Sequence, residues 1–267
     1  MSQLFDYYRA GTRLGFQRDV QYRGGLIMSL LGFLIEPVVY LTVWTTVAES
    51  QGGAIGGYTT GELAAYYVVW TLVRVYNLAH APTAWEWRIR GGRLNEFLSA
   101  PIHPFHRDMS FFIGGKVIWT VAWLPMAVLL TIAFRPTFNF SVSGVVGFAI
   151  AIWGGFLVRF VLLYLAGMIT FWTTRGTAVF EILTASELIL SGRLVPLSLL
   201  PDWAQSLAAW LPFRWTFEFP IQVMIGRVDN LGIVTGILTQ LIWAAGLGLV
   251  FSLVWKRAIK RYSAVGG

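Results

Sequence analysis

Five charged residues lie inside long apolar segments of the chain: Glu36, Arg74, Arg159, Glu181 and Glu187. A charge in hydrocarbon is costly, so such residues face the interior of a helix bundle, a partner subunit or water. Two interpretations remain open. The five residues line a polar translocation pathway, or they are structural: Arg159 pairs with Glu36 or Glu181, for instance, while Arg74 and Glu181 reach the membrane surface from span ends.

Chemistry by these carboxylates or by the histidines is not supported. Glu181 and Glu187 are six residues apart, which places them on different faces of a helix and separates a would-be acid–base pair. In His103-Pro104-Phe105-His106, proline prevents the regular turn that would align the two histidines with each other or with His80 as metal ligands. Gly114-Gly115-Lys116-Val117 lacks the first glycine and the hydroxyl of a phosphate-binding loop. We predict no catalytic residue, metal or cofactor in this chain.

Apolar segments dominate the chain and define its class. Hydrophobic residues make up 56%, charged residues 12%, and the mean hydropathy is +0.64, whereas a soluble domain is about a quarter charged. The chain has no cysteine, which excludes disulfides and thiolate metal sites. We predict an all-α, polytopic membrane protein with one transmembrane domain over residues 1–267 and six spans, at residues 26–47, 63–81, 116–134, 142–171, 178–190 and 231–254.

The cations are sorted to one side of these spans. Of the 20 Lys and Arg residues, 14 lie in the two termini and in the second and fourth connections. Cationic loops stay on the cytoplasmic face, so both termini are predicted to be cytoplasmic and the protein to lie in a bacterial inner membrane. This sorting accounts for the net charge of +7 better than a nucleic-acid partner does, and we predict none.

Two further segments are predicted to lie at the membrane surfaces. Residues 3–22 read as an interfacial helix on membrane lipid, with Leu4, Tyr7, Tyr8, Gly11 and Leu14 on one face; a solvated tail is the alternative. Residues 194–226 are apolar but interrupted by four prolines. Broken backbone at membrane depth survives only where protein or a water-filled cavity satisfies its polar groups. We therefore predict one or two short re-entrant helices at the extracellular face.

The most informative connection is residues 82–115, predicted to be cytoplasmic. After Gly91-Gly92, a short amphipathic helix places Leu94, Phe97 and Leu98 on one side, with Arg93 and Glu96 beside them, and Pro101 ends it. A loop that needed only solvation would not need this apolar triplet. The alternative is a helix lying on lipid headgroups.

This order of motifs resembles the permease subunits of ABC transporters in the second exporter class. The resemblance rests on the arginine–glycine pair followed by Leu94-x-x-x-Leu98-x-x-Pro101, on the N-terminal interfacial helix, and on Leu200-Pro201-Asp202-Trp203 with Leu211-Pro212-Phe213 before the last span. It covers essentially the whole chain and is nearest to short bacterial permeases that often work as pairs of unlike subunits.

The resemblance implies partners and roles that spacing alone does not give. Two permeases, identical or homologous, would associate with two separate ABC ATPase subunits, which bind ATP and magnesium. Arg93, Leu94, Glu96, Phe97, Leu98 and Pro101 would form the coupling helix, with Leu94, Phe97 and Leu98 as anchors in an ATPase groove. A self-sufficient secondary transporter or channel is the alternative function, and an intramembrane enzyme a more distant one. The sequence does not identify the cargo.

Overall fold

The computed structural model describes residues 2–79, 81–173 and 176–262 and is almost entirely helical. Its helices are α1 (Ser2–Gln21), α2 (Arg23–Ser50), α3 (Thr60–Tyr76), α4 (Ala81–Arg90), α5 (Leu94–Leu98), α6 (Pro104–Phe134), α7 (Val142–Met168), α8 (Gly176–Leu190), α9 (Asp202–Ala209), α10 (Glu218–Met224) and α11 (Asn230–Arg261). Three 3-10 turns lie at Ile169–Phe171, Leu197–Leu199 and Phe213–Trp215. The all-α prediction is confirmed, with one small exception in the loop after α2.

That exception is a two-stranded hairpin, β1 (Ala54–Ile55) and β2 (Tyr58–Thr59), in which Ala54 pairs with Thr59 and Ile55 with Tyr58. Gly56 and Gly57 form its two-residue turn with φ of +54° and +78°. Glycine adopts these left-handed angles without steric cost, which makes a Gly-Gly loop a typical hairpin connection. The hairpin leads directly into α3, whose first turn is closed by a capping box between Thr59 and Glu62.

Four described helices are long and apolar enough to cross a membrane: residues 24–50, 104–134, 142–171 and 230–261. Their outward faces carry large exposed side chains such as Met28, Ile35, Ile132 and Ile242. An apolar surface of this extent fits lipid rather than water. The chain is therefore a membrane protein with at least these four candidate spans.

The two other predicted spans form helices that are shorter than the hydrocarbon core is thick. α3 has 17 residues and α8 has 15, so at 1.5 Å per residue they reach about 25 and 22 Å, less than the hydrocarbon core of about 30 Å. α3 ends at Tyr76 rather than continuing to residue 81. Nearly every residue of α3 from Leu63 to Val73 is buried, so this helix forms the centre of the bundle.

The predicted connection 82–115 has more regular structure than a loop. It contains α4, α5 and the first turns of α6, which begins at Pro104 rather than near residue 116. His103 caps this helix by accepting a hydrogen bond from the backbone N–H of Phe105. Pro104 suits the first helical position, because a backbone N–H there would have no acceptor within the helix and proline has none. The early start gives α6 31 residues, enough to extend beyond the bilayer.

The two predicted surface segments both contain helices. α1 packs along α6 at Gly11, Gly15 and Gly114, where an added Cβ would approach the facing helix to within about 2 Å. Its contact with the bundle therefore runs through glycines, and Leu14 stays 60% exposed. Residues 194–226 contain two short helices, α9 and α10, and two 3-10 turns, and Pro220 lies within α10.

Candidate functional site: a buried charge network and a cytoplasmic hairpin

Arg159 of α7 and Glu187 of α8 form a buried ion pair inside the bundle. The guanidinium donates from Nε and Nη2 to the two carboxylate oxygens at 2.6 and 2.8 Å, and both side chains are at least 90% buried. Arg159 Nη1 also donates to the backbone carbonyl of Asn77. A two-pronged pair with an extra acceptor offsets the desolvation cost that burial of two charges imposes.

A second pair joins α2 to α3 close by. Arg74 Nη1 lies 2.7 Å from Glu36 Oε2, and the Tyr40 hydroxyl donates to Glu36 Oε1 at 3.1 Å. Arg74 is stacked against the Phe33 ring at 4.5 Å, so its apolar surroundings are aromatic rather than aliphatic. Glu36 keeps 26% of its side chain exposed, so this end of the network opens towards the outside of the bundle.

Arg193 connects the two pairs. Its guanidinium nitrogens lie 3.6 Å from Glu187 Oε2 and 3.8 Å from Glu36 Oε1. The side chain can reach inward because Gly192, with φ of +85°, reverses the chain directly after α8. Left-handed glycine just past a helix end is a common helix stop. The result is a continuous row, Arg74–Glu36–Arg193–Glu187–Arg159, with three cations and two carboxylates.

The sequence identified four of these five residues but not their partners. The suggested pairs of Arg159 with Glu36 or Glu181 are wrong: Arg159 binds Glu187, and Glu36 binds Arg74. Glu181 lies on the exposed side of α8 and forms no ion pair with any described residue. Arg193 lies outside the predicted spans, and the Ser191-Gly192-Arg193 stop after α8 is the signal that could have included it.

A polar cluster that the sequence did not indicate lies beside this row. Glu218 of α10 is 4% exposed and accepts hydrogen bonds from the Tyr66 hydroxyl at 2.5 Å and from Gln222 at 2.7 Å. Tyr66 also lies 2.6 Å from the Gly192 carbonyl, so the turn that directs Arg193 inward is held between α3 and α10. An added Cβ at Gly192 would lie 2.1 Å from Glu218 Oε2, and no larger residue fits there.

On the side of the bundle where the chain carries most cations, α4 and α5 form a helical hairpin fixed to the transmembrane helices. Arg88 donates two hydrogen bonds of 2.7 Å to Asp108 of α6, and the Tyr164 hydroxyl of α7 donates to the same carboxylate at 2.7 Å. Trp85 is fully buried and its ring centroid lies 5.2 Å from that of Tyr164 and 5.6 Å from that of Trp255 in α11. The hairpin therefore contacts three long helices.

The apolar side of α5 packs against this chain, which corrects the expectation for its anchors. Leu94 is fully buried and Phe97 is 6% exposed. The Phe97 ring centroid lies 4.1 Å from the Arg88 guanidinium and 4.4 Å from that of Arg107. Leu94 and Phe97 are thus unavailable both to a partner groove and to lipid headgroups, because they fasten α5 to the bundle. Leu98 is partly buried.

The opposite side of the hairpin is polar and exposed. Arg93, Asn95, Glu96 and Pro101 all face outward, and Arg93 stacks on the Trp87 ring at 4.7 Å. Gly92 has φ of +66° at the turn between α4 and α5, a conformation that favours glycine. The tip of the hairpin is thus polar and exposed, and its apolar side is packed against the bundle.

The two described histidines have separate structural roles. His103 accepts the capping hydrogen bond of α6 through Nδ1, and His106 Nδ1 is 2.9 Å from the Tyr8 hydroxyl of α1. Burial, with a smaller contribution from His106, lowers the pKa of His103 to about 4. His103 is therefore neutral at physiological pH, as its acceptor role requires. His80 lies outside the described residues.

Comparison with protein families gives one match, to the family described as ABC-2 family transporter protein, over residues 34–266. The match covers most of the chain and includes the hairpin, the charge network and the proline-interrupted region. Comparison with curated proteins gives no match.

Proposed function

The chain belongs to the ABC-2 family of transporter proteins, and we propose that it is the transmembrane permease subunit of an ATP-driven exporter in a bacterial inner membrane. Two such permeases, identical or homologous, would assemble with two separate ABC ATPase subunits. Proteins of this family are the membrane component of transport, so the partner subunits would bind ATP and magnesium and hydrolyse the nucleotide. This chain would form the pathway.

The proposed topology has six spans with both termini in the cytoplasm. α2, α3, α6, α7, α8 and α11 would be the spans, and residues 194–226 would form the extracellular re-entrant region. α3 and α8 are short, but α3 is enclosed by other helices and needs little contact with lipid. The basic residues Lys256, Arg257, Lys260 and Arg261 at the end of α11 support a cytoplasmic C-terminus.

The observation that carries the proposal is the construction of the α4–α5 hairpin. A device that transmits force from an ATPase needs a contact surface and a rigid connection to the spans. Arg93, Glu96 and Pro101 supply exposed surface, while Leu94 and Phe97 supply the connection. A mobile loop would absorb the movement of the ATPase, whereas this hairpin would pass it to α6, α7 and α11.

The charge network is the candidate link between that movement and the pathway. Glu36 on α2 is partly exposed and Glu181 on α8 is exposed. Carboxylates on the outer faces of membrane helices require water or a polar partner. We propose that these faces of α2 and α8 meet the second permease and that the pathway runs between the subunits.

The coupling surface can be tested by charge reversal at the exposed tip. Glu96→Arg changes a contact surface without disturbing a buried group, so the permease should fold but lose most substrate-stimulated ATP hydrolysis by the assembled complex. Glu49→Arg is the matched control. Glu49 is an exposed carboxylate near the C-terminal end of α2, which the proposed topology places on the extracellular side, away from the ATPase. Equal activity in both variants would contradict the coupling role.

The alternative is a self-sufficient secondary transporter or channel. Purification of the tagged chain from its own membranes separates the two: an exporter permease should co-purify with an ATPase of ordinary soluble composition. Reconstituted alone, the chain should move no solute. Solute movement by the isolated chain, without nucleotide, would favour the alternative.

A further inference from the structure

A cavity of about 350 Å³ lies between α1, the α4–α5 hairpin and the start of α6. Its walls include Tyr7 and Leu14 of α1, Phe97 of α5, and Arg107 and Phe111 of α6. Its volume falls in the range of small-molecule sites, about 300–1,000 Å³. None of the roles proposed above uses this space.

The cavity has an excess of one positive charge. Arg88 and Arg107 both lie within 4.4 Å of the Phe97 ring centroid, but the single carboxylate of the cavity wall, Asp108, binds Arg88. Arg107 is exposed and forms no ion pair with any residue that the structure describes. Arg88 Nε is also buried without a hydrogen-bond acceptor. Two guanidiniums fixed on one ring favour an anion between or beside them.

The remainder of the wall is apolar and opens outward. Leu14 is 60% exposed, and it continues the face of α1 that carries Tyr7 and Gly11. α1 immediately precedes the α2 span, and Arg107 and Phe111 lie in the first turns of α6. In the proposed orientation, this level of the protein meets the headgroups of the cytoplasmic leaflet.

We propose that this cavity binds the phosphodiester headgroup of an anionic phospholipid from the cytoplasmic leaflet. Arg107 supplies a two-pronged contact to the phosphate, and the first part of an acyl chain lies along Leu14. The Tyr7 hydroxyl donates a hydrogen bond to a phosphate oxygen. The assignment rests on the membrane orientation of the proposed function, but it requires no ATPase partner.

Two further observations support this ligand. Burial raises the pKa of Tyr7, although Arg107 partly opposes this, so the hydroxyl keeps its proton and remains a donor. Anionic lipids are concentrated at the cytoplasmic surface, and basic pockets beside transmembrane helices bind their headgroups. Because Arg107 also contacts Phe97, a bound phosphate would fix the side chain that fastens α5.

The test is equilibrium binding to the purified full-length chain in a neutral detergent. The probes are dihexanoyl phosphatidylglycerol, dihexanoyl phosphatidylcholine and inorganic phosphate. We expect saturable binding of the phosphatidylglycerol, at least about ten-fold tighter than that of the phosphatidylcholine. Both lipids carry the phosphodiester, but the choline ammonium brings a further positive charge close to Arg88 and Arg107, whereas the glycerol headgroup does not. Arg107→Gln should raise the dissociation constant for phosphatidylglycerol about ten-fold, whereas Arg257→Gln, which removes an exposed cation of α11, should leave it unchanged.

A second variant separates the lipid from a free anion. Leu14→Ser changes an exposed side chain, so folding is unaffected, and it should weaken phosphatidylglycerol binding while leaving phosphate binding unchanged. Equal affinity for both short-chain lipids, or wild-type binding by Arg107→Gln, would overturn the proposal. Phosphate that binds as tightly as phosphatidylglycerol would assign the site to a free anion instead. These results do not depend on ATP hydrolysis, so failure here and failure of the exporter assignment are distinguishable.

Discussion

The charge network makes an asymmetric prediction about its most buried pair, Arg159 and Glu187. Arg74, Arg193 and Arg159 alternate with Glu36 and Glu187, which leaves one excess positive charge. Arg159→Met removes that excess. Glu187→Leu doubles it, and leaves Arg159 buried opposite no carboxylate. The loss of glutamate should therefore destabilise the protein more than the loss of arginine.

The distances allow the difference to be estimated. Removal of one partner of a buried pair costs about 3–5 kcal/mol, and this is the expectation for Glu187→Leu. In Arg159→Met, Glu187 still lies 3.6 Å from Arg193, an attraction of about 4–5 kcal/mol at an effective dielectric constant of about 20. Desolvation and geometry reduce this figure, but it should offset much of the loss and leave a cost of about 1–2 kcal/mol.

The assay is thermal unfolding of the purified variants in detergent. At about 2–4 °C per kcal/mol for a chain of this size, Glu187→Leu should lower Tm by about 10 °C and Arg159→Met by a few degrees. The double variant should unfold at a higher temperature than Glu187→Leu, because it removes the unpaired arginine as well. An equal loss in both single variants, or additive losses in the double variant, would refute the network as described.

Three further predictions concern the ends of the bundle. Phe97→Ala should abolish ATPase coupling while the spans stay folded, because α5 loses its attachment; Phe97→Tyr, which keeps the ring, should retain it, and normal coupling in Phe97→Ala would exclude the role. Gly15→Leu should detach α1 from α6, detected as faster proteolysis of the N-terminal segment, whereas Gly24→Leu, where nothing lies within 4 Å of a new Cβ, should not. The wild-type Tm should fall as pH drops from about 6.5 through 4, because the pKa of His103 is depressed in the folded state and its neutral form caps α6; His103→Asn should show a smaller fall, and an identical pH profile would contradict the assignment.

The long elements of this fold are predictable from the sequence because their signals are local. Runs of apolar residues identify α2, α6, α7 and α11, and proline and glycine give the interruptions after α8. The apolar signal predicts a start for α6 near residue 116, because residues 104–115 include polar side chains that weaken that signal. Only the cap at His103 and Pro104 marks the true beginning.

The pairing of charges was not predictable, because it depends on how the helices pack. Arg159 and Glu187 are 28 residues apart, and nothing in their spacing favours Glu187 over Glu181. The same reason explains the error at α5. Amphipathic spacing shows that Leu94 and Phe97 share a face, but whether that face meets a partner or this chain depends on Arg88, Asp108 and Trp85. Those residues lie on two other helices.

The absence of cysteine from the chain permits a direct test of the central claim, that this permease is driven through the tip of the α4–α5 hairpin. The single-cysteine variant Glu96→Cys would be assembled with its ATPase and exposed to a short thiol–amine cross-linker. Glu49→Cys is the control, because residue 49 lies near the C-terminal end of α2, on the proposed extracellular side. We expect a nucleotide-sensitive cross-link from residue 96 to the ATPase and none from residue 49. A cross-link from residue 49 alone, or none from residue 96 in an active complex, would contradict it.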